Sequence, residues 1–401
     1  MVKAPSVSFL VIVVFVVISV FIATDIYTPS LPEITRSLHS TPMMAQLSVT
    51  FYIVAFCMAI YLSAPPTDRW GRKVLILVAM AGACAFSFLC IFAQNMSMIL
   101  VGRVGQGLCM GSSMSVGNLV LRDVYYKKEH SFTRIRAFIQ FATSALMVFA
   151  PLVGGHLAYA FGWRSPFVFL AIMFFVLGML FLFCIPETHK SLDPSATDAK
   201  IFLKRSLLLI KSPVFWGYTT LAGCAAGSLF AYLTISPLLI EDVLGWNPKQ
   251  YGYLAFVIAA GSAIGAVVLA EVPKLIGVNK TLVMGMITML IGGISMLTLG
   301  LFATMSVYTI MVPMFIQIIG ATIVSILPYS ALLDYYQFVG GELIGVYGFT
   351  KYIFGAIISF IAAFFHVRDQ VPLGGMLFGA ALLAVICFII GELCAKKGQT
   401  S

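Results

Sequence analysis

The sequence predicts an all-α integral membrane protein of twelve transmembrane helices in two six-helix bundles. Three observations carry that expectation. The chain of 401 residues is 61% hydrophobic, with a mean hydropathy of +1.02, where soluble domains are about 45–50% apolar. Only 10% of its residues are charged, so hardly any polar stretch is longer than a loop. The apolar residues fall into twelve runs of about 20 residues, the length that crosses a hydrocarbon core as a helix. Helix is required because lipid cannot satisfy exposed backbone groups.

In chain order the expected spans are 8–26, 43–63, 74–93, 98–119, 134–158, 165–185, 212–238, 250–270, 280–302, 306–328, 341–365 and 372–394. The first has only Lys3 before it and no small-residue cleavage site after it, so it reads as a retained span. The longest polar interruption, 186–211, divides the chain into an N-terminal bundle (1–185), a central loop and a C-terminal bundle (212–401). Basic residues set the orientation. Eighteen Lys and Arg fall on the side of the two termini, and four (Arg36, Arg164, Lys249, Arg368) on the other. Positive residues favour the cytoplasm, so both termini are expected there, in a bacterial inner membrane. The eight cysteines all lie in apolar runs without paired spacing and read as small apolar fillers.

The densest polar run is Ala64-Pro65-Pro66-Thr67-Asp68-Arg69-Trp70-Gly71-Arg72-Lys73, between the second and third spans. An ordinary loop held in the cytoplasm by its charge is one reading. The order of residues is also specific: an acid first, a glycine for a tight turn, then two bases at the mouth of the next helix. The run resembles the loop signature of the major facilitator superfamily, small-P-x-x-D-R-x-G-R-K, with Ala64 in place of glycine and Pro66 in place of an apolar residue. A fainter copy follows the eighth span, where Ala270 and Gly277 match Ala64 and Gly71, and Lys274 replaces Asp68. With the equal span counts, this supports a duplicated transporter, and the resemblance implies the major facilitator fold.

Thr24-Asp25-Ile26-Tyr27-Thr28-Pro29-Ser30-Leu31-Pro32 closes the first span. Asp25 is either an interfacial cap or a proton carrier. A carboxylic acid in a poorly hydrated site can be held neutral, and so can load and release a proton. The run resembles the T-D-M-Y-x-P-x-L-P signature of the Bcr/CflA-type drug exporters, with Ile26 in the Met position. In the fourth span, Gly102-Arg103-Val104-Gly105-Gln106-Gly107 places an arginine where it either reaches the interface or faces a protein interior. It resembles the superfamily's R-x-x-Q-G motif, which implies that Arg103 couples proton binding to helix rearrangement. Ala150-Pro151-Leu152-Val153-Gly154-Gly155 in the fifth span resembles the G-P-x-x-G-G motif of exporting branches. There Pro151 bends the helix, and Gly154 and Gly155 let a neighbour pack on the bend. Gly162-Trp163-Arg164, Phe167 and Pro186-Glu187-Thr188 complete the landmarks. The resemblance thus covers residues 20–190, while the second half matches in layout. It further implies a cytoplasmic latch in which Asp123 pairs with Arg69, Arg72 and Lys73 of the polar run and Asp68 faces the eleventh helix.

Lys351 has no place in that pattern. It lies about ten residues into the eleventh span, about 15 Å deep, beside Tyr347, Thr350 and Tyr352. Either it reaches an interface, or it faces a cavity where a fixed positive charge favours anions. Tyr27, Gln106, Gln140, Tyr232, Gln317, Tyr347 and Lys351 are the expected substrate-binding residues, drawn from polar or aromatic positions inside spans. No phosphate-binding loop of the Gly-x-x-x-x-Gly-Lys type is present and no histidine pair has metal spacing. The expectation is therefore no enzyme, no metal, no cofactor, and energy from a proton gradient.

The resulting expectation is a proton-coupled exporter of drugs or small organic compounds that works by alternating access. A dedicated exporter of an anionic metabolite, such as a carboxylate siderophore, and a transport-inactive sensor are the alternatives. Its partners would be protons, a small-molecule substrate and the bilayer, with no nucleic acid, and it would be monomeric.

Overall fold

The computed structural model describes residues 7–63, 67, 70–125, 149–188, 207, 209–335, 341–365 and 368–399. Within them the chain is helical, with twelve principal helices. These are α1 (Val7–Asp25), α2 (Pro42–Leu62), α3 (Arg72–Ile91), α4 (Met96–Tyr125), α5 (Phe149–Phe161) and α6 (Ser165–Cys184). After the central segment come α7 (Pro213–Pro237), α8 (Ala255–Ile276), α9 (Val278–Phe302), α10 (Val307–Tyr335), α11 (Gly341–Ala363) and α12 (Val371–Gln399). Ten of the described helical stretches are long and apolar enough to cross a membrane. The other two are α4, which carries Arg103 and Gln106 among glycines and serines, and α5, described only from Phe149.

Local chemistry sets where the helices start. Thr41 caps α2, its hydroxyl accepting from the Met44 amide at 3.4 Å, and Pro42 follows in the first turn, where a missing N–H costs nothing. Asn247 and Gln250 form a reciprocal capping box before the short helix Pro248–Tyr253. The first helix ends at Asp25, close to the expected limit, but the helical path goes on. A 3-10 turn at Thr28–Ser30 and a helix at Leu31–Ser37 prolong it, because Pro29 and Pro32 fall in first-turn positions that tolerate proline. The fourth, eighth, tenth and twelfth helices also outrun their expected ends, reaching Tyr125, Ile276, Tyr335 and Gln399. Helical bonding does not end where the apolar residues do. The seventh instead gives way at Pro237 to a π-helical segment, Leu238–Val243, a re-registration where the ring removes a backbone donor.

Two apolar clusters fill the molecule. One is built from residues between Phe9 and Ile185 and gains Ala356 from α11. The other runs from Leu209 to Ala384, with Tyr61 of α2 packed against it. The face where α1 begins and α12 ends is called the near face below, and the opposite one the far face.

The repeat suspected from Gly71 and Gly277 reappears in the backbone. Gly71 precedes α3 with φ +84° and ψ 158°, and Gly277 separates α8 from α9 with φ +88° and ψ 161°. Both lie in a region that favours glycine. They differ in surroundings. A Cβ at Gly71 would lie 2.6 Å from Glu187 Oε2, whereas at Gly277 nothing stands within 4 Å. Gly277→Ala is therefore expected to lose about 1 kcal/mol from backbone strain alone. Gly71→Ala should lose about 2 kcal/mol or more, since it also displaces a carboxylate. Apparent melting temperatures in one detergent check the order, and equal losses would contradict it.

Candidate functional site

Among the described residues the largest fully buried side chain is Arg103, at 0% exposure. A guanidinium in a membrane-spanning bundle needs partners on its edges and faces. Its Nη1 donates to the Ala23 carbonyl at 2.9 Å and to Gln106 Oε1 at 2.8 Å. Gln106 in turn donates to Ser87 Oγ at 2.7 Å, tying α4 to α3. The rings of Tyr27 and Tyr52 lie on the guanidinium, each centroid 4.0 Å from Cζ. Tyr27 shares a hydrogen bond with Ser48 at 3.0 Å, and Tyr52 donates to the Val20 carbonyl at 3.1 Å. Among the described residues, Arg103 Nε and Nη2 have no hydrogen-bond partner. The α4 helix comes this close because Gly107 and Gly111 lie against the carbonyls of Tyr52 and Phe56.

Asp25 ends α1 two residues beyond the carbonyl that Arg103 holds, and is 6% exposed. No cation stands within 4 Å of it among the described residues. Instead it lines a narrow cavity between the halves, with Pro151 of α5, Tyr232 of α7 and Tyr251 as further walls. The far side of that cavity is closed by backbone contact. A Cβ at Gly154 would run into the Ile26 carbonyl, and one at Gly155 into the Pro248 carbonyl of the second half. One at Gly252 would lie 2.8 Å from the Pro151 carbonyl. Pro151, Gly154 and Gly155 thus pack α5 on α1 and on the short helix before α8. His156 Nε2 stands 3.3 Å from the Tyr253 hydroxyl, and Arg36 pairs with Asp242 at 2.8 Å at the rim. That pair is exposed, with side chains 66% and 35% accessible, so it contributes about 1 kcal/mol at most.

On the near face, Glu187 is the acid that meets the polar run. Its carboxylate accepts from the backbone amides of Arg72 at 3.2 Å and Lys73 at 3.0 Å, at the positive end of α3. Arg72 Nη1 donates to the Leu119 carbonyl and Lys73 Nζ to that of Leu182. Asp68 and Arg69 lie outside the described residues, as do the side chain of Asp123 and the whole of Gln140, so the expected latch partners are not placed.

The expected binding residues separate into groups. Tyr27 and Gln106 belong to the packing around Arg103 and are not walls of the Asp25 cavity. Gln317 is fully buried inside the second half, donating to Ser228 Oγ at 3.1 Å. Each is drawn into helix packing because a buried amide or phenol needs a local partner. Tyr232 does line the cavity, its hydroxyl 3.5 Å from Met311 Sδ. Tyr347 and Lys351 share one acceptor, the Ser325 carbonyl, at 3.4 and 3.3 Å.

Arg36, Asp242, Glu187 and Tyr52 are the residues sequence reasoning did not assign. Arg36 and an acid in the corresponding loop of the second half carry complementary charge on one side of the membrane, which is a usable signal. Tyr52 carries none, since an aromatic in an apolar run reads as core. The stack around Arg103 makes a specific demand: lysine keeps the charge and loses the plane. Arg103→Lys is expected to lose about 2 kcal/mol in detergent unfolding, close to Arg103→Met. A lysine variant as stable as wild type would show that charge alone suffices.

Comparison with known proteins agrees with this architecture. The family model described as Major Facilitator Superfamily matches residues 13–360. An uncharacterized MFS-type transporter of Bacillus subtilis, YdgK, is 24% identical over 381 residues, covering 94% of this chain and 93% of its own. A bicyclomycin resistance protein homolog of Haemophilus influenzae is 26% identical over 57% of each chain. The multidrug resistance protein MdtL of Escherichia coli O157:H7 is 26% identical over 64% of this chain and 63% of its own. Among solved structures, a peptide transporter superimposes with a TM-score of 0.76 at 13% identity, covering 96% of this chain and 95% of its own. A D-xylose-proton symporter does so with 0.72 at 14% identity, over 94% and 96%. At such identity the solved structures speak for the fold alone. The family model spans most of the twelve-helix body, and the chain belongs to the Major Facilitator Superfamily of transporters.

Proposed function

We propose that the chain is a proton-coupled exporter that exchanges protons for a small organic compound by alternating access of its two halves. The observation that carries this reading is Asp25, a buried carboxyl group at a cavity between the halves without a cation within 4 Å among the described residues. A membrane protein retains such a group at a cost, and proton exchange is the chemistry a lone carboxyl offers. Arg103 would sense the exchange. It is held on α1 through the Ala23 carbonyl, and its Nε and Nη2 have no acceptor among the described residues. Loss of the proton from Asp25 would create an acceptor near those donors and pull α1 on α4. The halves would rock about α2 packed along α11, making and releasing the glycine contacts between α5 and the short helix before α8.

The direction of export draws support from the Pro151-Gly154-Gly155 run and from the drug-resistance proteins among the relatives. With the basic residues gathered on the near face, that face would be cytoplasmic, in a bacterial inner membrane. The cavity is formed within one chain, which favours a monomeric unit.

The test is transport in proteoliposomes with an imposed pH gradient, scanned over aromatic cations, neutral compounds and anions. Wild type is expected to move at least one class against its gradient with opposite proton movement. Asp25→Asn should reduce coupled flux to background while the protein still binds that compound. Undiminished proton-driven flux in Asp25→Asn would remove Asp25 from the mechanism.

A further inference from the structure

The mechanism above leaves Lys351 unused. Its position on α11 is not the lipid side. Ile357, Ile361 and Phe364 are exposed on one face of that helix, and Lys351 lies about 120° round from Ile357 at 3.6 residues per turn. Its neighbours on the inner side meet the rest of the molecule. A Cβ at Gly355 would lie 2.8 Å from the Phe230 ring of α7, and one at Gly223 would lie 3.3 Å from the Lys351 carbonyl. Lys351 is nonetheless only half-buried, as are Ser325 and Tyr352 beside it. Lys351 thus stands on the inward side of its helix, where α11 meets α2 and α7.

The charge there is unbalanced. Among the described residues no carboxylate lies within 4 Å of Lys351. Its Nζ reaches only the Ser325 carbonyl, at a long 3.3 Å, and lies 5.2 Å from the centroid of the Tyr352 ring. Among the described residues, two of the three ammonium donors meet no acceptor and can serve a ligand. The walls around it are aromatic and come from both halves. Tyr352 packs on Phe56 of α2 at 5.4 Å and on Phe230 at 6.3 Å, and Tyr347 on Tyr329 of α10 at 5.2 Å. A positive charge framed by rings accepts an anion with a flat apolar body, and the same charge repels cations.

We propose that Lys351 and the rings of Tyr347 and Tyr352 form the substrate site, and that the substrate is an aromatic or similarly apolar organic anion. This rests on the transporter reading above and narrows it. Because Tyr352 bridges to Phe56 and Phe230, occupancy of the site bears on both halves at once. Lys351, Tyr347 and Tyr352 are not among the residues that line the Asp25 cavity.

The experiment measures binding of radiolabelled naphthalenesulfonate to the full chain in lipid nanodiscs, with naphthylmethylammonium and neutral naphthalenesulfonamide as competitors. Wild type is expected to hold the sulfonate at least about tenfold more tightly than either competitor. Lys351→Ala should erase that preference, and Lys351→Arg should keep it within about threefold. An unchanged melting temperature in Lys351→Ala would separate binding from a structural bond to Ser325. A wild type that binds the ammonium as well as the sulfonate, or binds no sulfonate, overturns the proposal, as does a preference that survives Lys351→Ala. Lys351-dependent binding without Asp25-dependent flux would instead overturn the proton-coupling reading and leave this one standing.

Discussion

A buried guanidinium is the constraint from which most of the first half follows. Arg103 has no exposure, so each of its faces and most of its edges must be met by protein. Tyr27 from the end of α1 and Tyr52 from α2 cover the faces, and the Ala23 carbonyl and Gln106 take one nitrogen. That requirement fixes the relative position of α1, α2, α3 and α4. The glycines at 107 and 111 are what let α2 come close enough to deliver its tyrosine. Two nitrogens have no acceptor among the described residues, which is costly in a low-dielectric interior. A fully satisfied arginine would be a strut. In the proposed mechanism, a partly satisfied one would respond to the charge of Asp25.

The closure of the far face combines contacts of different strength. Between the halves, Gly155 meets the Pro248 carbonyl and Gly252 meets the Pro151 carbonyl through backbone contact that any side chain at either glycine would obstruct. The charged pair Arg36–Asp242 is exposed and adds little. Such a junction has good shape and little binding energy per contact. In the proposed alternating-access cycle this junction would form and release, as a large apolar interface could not. Beneath it, α2 and α11 stay packed along their length, with Thr50 and Ser359 at 2.8 Å and Phe56 against Tyr352.

Much of this was legible in the sequence. Span count and the repeat marked by Gly71 and Gly277 came from composition and spacing, and motif singled out Asp25, Arg103 and the Pro151-Gly155 run, which the fold buries or packs closely. Helix ends were less legible, because apolar run length reports the hydrocarbon core whereas helices at 125, 276 and 335 continue beyond it. The least legible part was partnership. Tyr27, Gln106 and Gln317 were expected at a cavity, yet a buried polar group satisfies itself within its own bundle first, on Arg103, Ser87 and Ser228. Sequence distance also hid Glu187, more than a hundred residues from the amides it caps at Arg72 and Lys73.

The claim on which the account turns is that Asp25 exchanges a proton inside the closed cavity. Dicyclohexylcarbodiimide tests this most directly, since it reacts with protonated carboxyl groups in apolar surroundings. Labelling of the Asp25 peptide would be followed by mass spectrometry across a pH series in nanodiscs. The account predicts strong labelling of Asp25 at acid pH that falls as pH rises, and is absent in Asp25→Asn. No labelling at any pH, or labelling indifferent to pH, would contradict it.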